Sequence, residues 1–153
     1  MKITSDDFND GTRLSDVHAY ARENESPHLA WEDIPDGTVE FAIICDDPDA
    51  PVGNWVHWVL YEIPANITSL PRGIESNSEL EEIGGARHGV NSWGNNGYDG
   101  PHPPPGPEHR YIFQVFALNK KLDLPYGANS NTLRKAMTGR IIEEAEITGT
   151  YSR

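Results

Sequence analysis

Short apolar runs separated by turn residues recur along the chain and predict a protein built mainly from β-strands. Segments 39–45 and 55–63 are apolar on both alternating faces, which is typical of interior strands. A third run covers 109–118, and Leu29 and Trp31 alternate with polar neighbours as in a short strand. Strands come first and a helix late, so we predict a mainly antiparallel β-sandwich.

The two-residue period of a strand assigns side chains at its ends to one face or the other. In the second run, alternation predicts two faces: Trp55, His57, Val59 and Tyr61 on one, and Val56, Trp58 and Leu60 on the other. The polar side chains expected to point the same way as core residues are Asp47, His57, His109 and Tyr111. Three strand ends are therefore expected to bring polar groups toward the interior.

Only one segment has a clear helical pattern. Residues 132–144 place apolar side chains at intervals of three and four, with Asn131 or Thr132 as the N-cap and Gly139 as a weak point. Residues 146–151 are expected to close the fold as an edge strand. The sequence has no internal repeat or domain boundary, so we predict a single domain, 1–153, with one or two short helices.

Charge and composition narrow the classes of function. The chain carries 24 acidic and 12 basic residues, a net charge of −12, which disfavours binding to nucleic acid and stable association with anionic membranes. Its single cysteine permits no internal disulfide. The amino terminus lacks the apolar stretch of a signal peptide, and no run is long enough to span a bilayer. The expected location is the cytoplasm.

Residues 97–111, GYDGPHPPPGPEHRY, form the most unusual stretch, with five prolines among fifteen residues. Proline fixes φ and removes a backbone donor, so this segment is predicted to be a stiff loop. Because it leads directly into the strand that begins at His109, it is a candidate wall for a small ligand. A polyproline connector, or a docking site for a proline-reading partner, explains the prolines equally well.

The polar groups at the strand ends suit a small anion. Imidazolium and phenol groups donate hydrogen bonds to anionic oxygens, and we expect Asp47 to hold His57 in its charged form. A hydrolase is disfavoured because no serine lies in a G-x-S-x-G elbow and Cys45 lies in mid-strand. A zinc site of the two histidines and Asp47 has no recognised spacing, so no metal is predicted. His102 is expected to be exposed.

Three motifs carry a resemblance to a known family: DPDAP at 47–51, WVHW at 55–58 and GPHPPPGPEHRY at 100–111. They resemble the signature regions of the phosphatidylethanolamine-binding protein (PEBP) family, the family of Raf kinase inhibitor-like proteins. SPHLAW at 26–31 and GNNGYDGP at 94–101 are similar to its compact bacterial and archaeal branch. The likeness covers nearly the whole chain.

The resemblance implies an antiparallel β-sandwich with a pocket for phosphate, acetate or a phospholipid headgroup. The residues that match the family's ligand-binding positions are Asp47, Trp55, His57, Gly100, Pro101, His109 and Tyr111. Asp49 and Arg110 match supporting positions, with Arg110 expected to donate to the turn at Asp49. No catalytic residue and no cofactor are implied.

Two functions fit the resemblance. The first is a binding or regulatory protein with a small anion pocket. The alternative is an inhibitor of a serine protease or kinase, acting through a surface loop such as 66–90 or 101–108. The resemblance also implies a homodimer.

Overall fold

The structure, a computed structural model, describes residues 1–153 and is dominated by strands. The strands are β1 (Lys2–Thr4), β2 (Thr12–Arg13), β3 (Leu29–Glu32), β4 (Glu40–Asp47), β5 (Trp55–Pro64), β6 (Ser69–Leu70), β7 (Arg87–His88), β8 (His109–Leu118) and β9 (Ile141–Tyr151). The α-helix α1 covers Ser130–Met137, and two 3₁₀ turns cover Asp16–His18 and Glu81–Ile83. None of these helices has the length and apolar character that crossing a lipid bilayer requires.

The strands form two sheets. The larger has six strands in the order β2-β9-β8-β4-β5-β7, and the smaller has three in the order β1-β3-β6. All pairs are antiparallel except β2 with β9. Apolar side chains from both sheets, including Trp31 and Phe41, pack in one core cluster, with their rings 5.3 Å apart. The mainly antiparallel β-sandwich predicted from the sequence is confirmed.

Strand β4 is buried on both faces because a different layer covers each one. Ile43 and Cys45 belong to the core between the sheets. Ile44 belongs to a second cluster on the opposite face, where Leu133 and Met137 of α1 cover the sheet. Both layers exclude water from the strand, so an apolar run without alternation is what this position requires. The strand ends at Asp47, in phase with the inter-sheet core as the sequence predicted.

A β-bulge in β5 changes the alternation expected there. Cys45 pairs with Trp58 while Asp46 pairs with Val56, so His57 is the extra residue. Beyond the bulge the phase is reversed, and Trp58 faces the core between the sheets whereas Val59 lies on the α1 side. The prediction that His57 shares a face with Val59 and Tyr61 is therefore wrong. His57 lies on the same side as Asp47, because Asp47 pairs with Trp55 and the alternation from Trp55 to His57 precedes the change of phase.

The predicted helix is too long at its carboxyl end. Asn129 caps α1, its side chain accepting a hydrogen bond from the Thr132 amide at 2.9 Å, and the helix ends at Met137. Gly139 then adopts a φ of 77°, which reverses the chain and starts β9 at Ile141. Residues 141–144 are thus strand, and the predicted short edge strand is the second half of β9, which pairs along all of β8.

Candidate functional site

A cavity of about 270 Å³ opens where β4, β5 and β8 end. Five of the seven predicted ligand-binding residues line it: Asp47, Trp55, His57, His109 and Tyr111. The stiff loop supplies a further wall through His102, Pro103 and Pro104. A larger depression of about 570 Å³ elsewhere contains no histidine and none of the predicted residues. The smaller cavity is therefore where the candidate chemistry of this chain converges.

Gly100 and Pro101 lie behind the cavity wall, not in it. Gly100 packs so closely that a Cβ atom there would lie 1.7 Å from the carbonyl oxygen of His18. The carbonyl oxygen of Pro101 accepts a hydrogen bond from the Tyr20 amide at 3.0 Å. These residues anchor the loop from behind. His102 is exposed as expected, yet it also lines the mouth of the cavity.

Replacing Gly100 by alanine is expected to destabilise the fold by about 2 kcal/mol, because the new methyl group forces two backbone segments apart. Urea unfolding followed by tryptophan fluorescence measures the effect. Pro105→Ala, in the exposed part of the same loop, is the matched control and should change stability by less than about 0.5 kcal/mol. Equal stability of the two variants would contradict the tight packing at Gly100.

Asp47 orients His109. Its Oδ2 atom lies 2.7 Å from His109 Nδ1, and its Oδ1 accepts a hydrogen bond from the Asp49 amide at 2.7 Å. Both partners of the Asp47–His109 pair are buried. The expectation that Asp47 holds His57 in its charged form is therefore wrong, because the carboxylate is directed at the other histidine and at its own turn.

The ring of His57 is held by a backbone group. Its Nδ1 lies 2.6 Å from the carbonyl oxygen of Asp99, which can only accept, so Nδ1 carries the hydrogen. Burial lowers the pKa of His57, and this effect outweighs the opposing influence of the Asp99 carbonyl and of the nearby carboxylates of Asp47 and Asp99. At neutral pH, His57 is therefore uncharged and its Nε2 is a bare acceptor.

A network of three asparagines fixes the segment that holds His57. The buried carboxylate of Asp99 accepts hydrogen bonds from the side chains of Asn24 at 2.9 Å, Asn91 at 2.7 Å and Asn95 at 2.9 Å. Sequence reasoning missed this cluster. The only signal was the density of asparagines around Asp99 in the stretch 91–99. By fixing the Asp99 carbonyl, the network determines which nitrogen of His57 faces the cavity.

Tyr111 brings an unpaired hydroxyl to the cavity. Its oxygen is buried and has no hydrogen-bond partner, although the carboxylate of Asp47 lies nearby. Burial, followed by the negative charge of Asp47, raises the pKa of Tyr111, so the phenol keeps its proton. Buried polar groups in native proteins are usually paired. An orphan donor in a cavity wall is what a site for an oxygen-bearing ligand presents when it is free.

Aromatic rings form the rest of the wall. Trp93 packs edge-on against Trp55 at 5.4 Å and against His57 at 4.9 Å, and it stacks on Tyr20 at 5.1 Å. Sequence reasoning did not assign Trp93 to the site. Its side chain shields His57 from bulk water, which is part of the reason that the imidazole stays neutral.

Arg110 points away from the cavity, as its position between His109 and Tyr111 predicted. Its guanidinium donates to both carboxylate oxygens of Asp49, at 2.9 and 3.0 Å, and its amide donates to Asp49 Oδ2 at 2.9 Å. The guanidinium hydrogen bond holds the pKa of Asp49 below its usual value. This pair ties the β4 turn to β8 and so keeps Asp47 next to His109.

No group of three histidine, cysteine or carboxylate side chains is arranged to hold a metal ion. Cys45 lies buried in β4, where burial raises the pKa of its thiol well above the usual range. A buried thiol with a raised pKa is a poor nucleophile.

Together, these features define a β-sandwich protein with a small, histidine-lined cavity at one end of its larger sheet. The sequence model described as "Phosphatidylethanolamine-binding protein" matches residues 4–152. The chain belongs to the phosphatidylethanolamine-binding protein family, which confirms the resemblance found in the sequence. Membership of this family indicates a binding or regulatory protein.

Relatives from two bacteria are similar over most or all of their length. A UPF0098 protein of Aquifex aeolicus is 41% identical, covering 100% of this chain and 89% of that protein. YbhB of Escherichia coli is 39% identical, covering 99% and 100%. Among solved structures, E. coli YbcL, described as a member of the mammalian PEBP family, superimposes with a TM-score of 0.91 at 33% identity, covering 99% of this chain and 98% of that one.

Proposed function

We propose that this protein is a binding or regulatory protein whose cavity holds a small anion, such as phosphate, acetate or a phosphorylated headgroup. The observation that carries the proposal is the orphan hydroxyl of Tyr111, which lies in a cavity wall with His57 and His109. A ligand oxygen in the cavity would satisfy this donor. The Nε2 atoms of both histidines also have no protein partner and are not sealed from the cavity.

Binding explains the site better than catalysis does. No serine or cysteine lines the cavity, so no nucleophile is within reach of a bound ligand. The Asp47–His109 pair resembles the base and orienting carboxylate of a hydrolase, but it has no third member to activate. The residues present can hold and orient an anion.

Replacing His57 by alanine is expected to weaken phosphate binding at pH 6 at least about fivefold, since one ring that contacts the ligand is lost. An NMR titration with inorganic phosphate measures the dissociation constant. His28→Ala is the control, because His28 does not line the cavity and its Nδ1 accepts only the Asp6 amide. Unchanged phosphate affinity in His57→Ala would contradict the proposal that this cavity binds the anion.

The alternative function, inhibition of a serine protease or kinase, would use the loop 101–108. Residues 104–108 are exposed, and the loop is braced at its base, where the Arg153 guanidinium donates to the Pro103 carbonyl at 2.6 Å. A stiff exposed loop suits an inhibitor because little entropy is lost on docking. A protease panel run with the wild type and with His57→Ala separates the two functions, since inhibition through the loop does not need the pocket.

A further inference from the structure

The two histidines of the cavity present acceptors in their neutral forms. His57 Nδ1 is used by the Asp99 carbonyl, and His109 Nδ1 is used by the Asp47 carboxylate. Each ring therefore turns Nε2 to the cavity, and in a neutral ring that atom is a lone pair. Tyr111 contributes a hydroxyl donor, and Trp55 and Trp93, which also line the cavity, carry indole N–H donors. Two imidazole lone pairs that face the cavity are an unusual feature for an anion site.

We propose that the pocket selects oxyanions that bring their own protons. Dihydrogen phosphate has two P–OH groups, which can donate to the two Nε2 atoms, and anionic oxygens that accept from Tyr111. Monohydrogen phosphate matches the site after one imidazole takes up a proton from solvent. Sulfate carries no proton near neutral pH. Its oxygen lone pairs would face the lone pairs of the two Nε2 atoms and could not form hydrogen bonds with them. This inference rests on the proposed function and names the class of ligand for the same site.

The charges around His57 support this selection. The carboxylates that influence the ring are Asp46, Asp47 and Asp99, and His102 lies at the cavity mouth. These carboxylates favour the imidazolium, yet burial has the larger effect and leaves the free ring neutral. Asp47 also repels a fully ionised ligand. An anion that keeps a hydrogen on the oxygen nearest His57 avoids both costs.

The hydrogen-bond donors and acceptors of the ligand also distinguish two sources of a phosphate group. A phosphate monoester retains a hydrogen that can ionise near neutral pH, so it can donate to one Nε2 atom. A phosphodiester, which is the linkage in a phospholipid headgroup, has no P–OH group and resembles sulfate in this respect. The geometry therefore favours phosphate and its monoesters over phosphodiesters as ligands of this pocket.

Isothermal titration calorimetry at pH 8 and pH 5.5 tests the selection with four probes: inorganic phosphate, sulfate, methyl phosphate and dimethyl phosphate. At pH 8 we expect phosphate to bind roughly 10- to 100-fold more tightly than sulfate, the effect of leaving buried acceptors unpaired. Methyl phosphate loses its second hydrogen at about pH 6, so it should exceed dimethyl phosphate at pH 5.5 and lose most of this advantage at pH 8. At pH 5.5 the His57 imidazole takes up a proton more readily than at pH 8, and the preference for phosphate over sulfate should shrink severalfold.

Two results of the wild-type titrations overturn the inference, and they are distinguishable. If sulfate and phosphate bind equally at pH 8, the pocket is an anion site without proton selection. If none of the four probes binds at either pH, the proposed function fails as well. His57→Gln supplies a side-chain amide that can donate as well as accept, and should lower the preference for phosphate at pH 8 at least about fivefold. An unchanged preference in a folded His57→Gln variant also overturns the inference, and circular dichroism verifies its fold.

Discussion

Lowering the pH from 7 to 4 is expected to remove about 3 kcal/mol from the free energy of unfolding through His88 alone. His88 is fully buried in β7, its Nε2 accepts a hydrogen bond from Trp58 Nε1 at 3.1 Å, and its Nδ1 has no partner. Burial lowers the pKa of His88 from 6.5 to about 4. Protonation would place an unpaired charge in the core and disrupt the bond from Trp58.

The direction of this effect follows from the coupling between proton binding and unfolding. Because the pKa of His88 is lower in the folded state, the unfolded chain takes up the proton first as the pH falls below 6.5. The stabilising contribution is complete above that pH and is lost progressively down to about pH 4. The lowered pKa of His57 adds to the loss in the same direction.

Urea denaturation at a series of pH values measures the loss, and His88→Gln isolates it. Glutamine can still accept from Trp58 Nε1 but does not titrate, so the variant should lose about 3 kcal/mol less than the wild type between pH 6.5 and pH 4. His28→Gln, altered at a histidine outside both core clusters, is the control and should keep the wild-type slope. Identical slopes in all three proteins would contradict a neutral buried His88.

Replacing Tyr111 by phenylalanine is expected to weaken phosphate binding about 10- to 100-fold while leaving the fold as stable as the wild type or slightly more so. The hydroxyl is an orphan in the free protein, so its removal abolishes a desolvation cost without breaking a hydrogen bond. In the complex it would be a donor that does not require protonation of a histidine. Few single substitutions separate binding from stability in this way.

Phosphate titration by NMR and thermal unfolding of the same samples test the Tyr111→Phe prediction. Tyr98→Phe is a matched control, because Tyr98 is also buried but donates to the His18 carbonyl at 2.8 Å. That variant should lose about 1 kcal/mol of stability and keep its phosphate affinity. Loss of stability in Tyr111→Phe, or unaltered affinity, would mean that the hydroxyl already has a partner and does not meet the ligand.

Much of the fold could be predicted because it follows from local patterns. Residues 39–45 and 55–63 are apolar on both faces since a second sheet covers one side and α1 the other. The face of the sheet on which Asp47 lies could also be predicted, because side chains of β4 alternate between the two faces up to its last residue. The predicted helix is too long because Ile141 and Ile142 continue the spacing of its apolar residues, although Gly139 redirects the chain into β9.

The site was harder to predict because its contacts join distant segments. The placement of Asp47, His57, His109 and Tyr111 around one cavity agrees with strand phase, but the bulge that reverses the phase of β5 after His57 could not be predicted from the sequence. Which histidine the carboxylate meets depends on a separation of 62 residues. The role of Asp99 is mediated by a main-chain carbonyl, which sequence patterns do not reveal.

The two cavity histidines differ in what holds them, and this difference limits how such a pocket can diversify. The ring of His109 is oriented by a side chain, Asp47, so a single substitution can remove its partner. The ring of His57 donates a hydrogen bond to the main-chain carbonyl of Asp99, a group that every substitution at that position retains. Descendants of this chain can therefore lose the partner that orients His109 in a single step, whereas the type of group that orients His57 is present whatever residue occupies position 99.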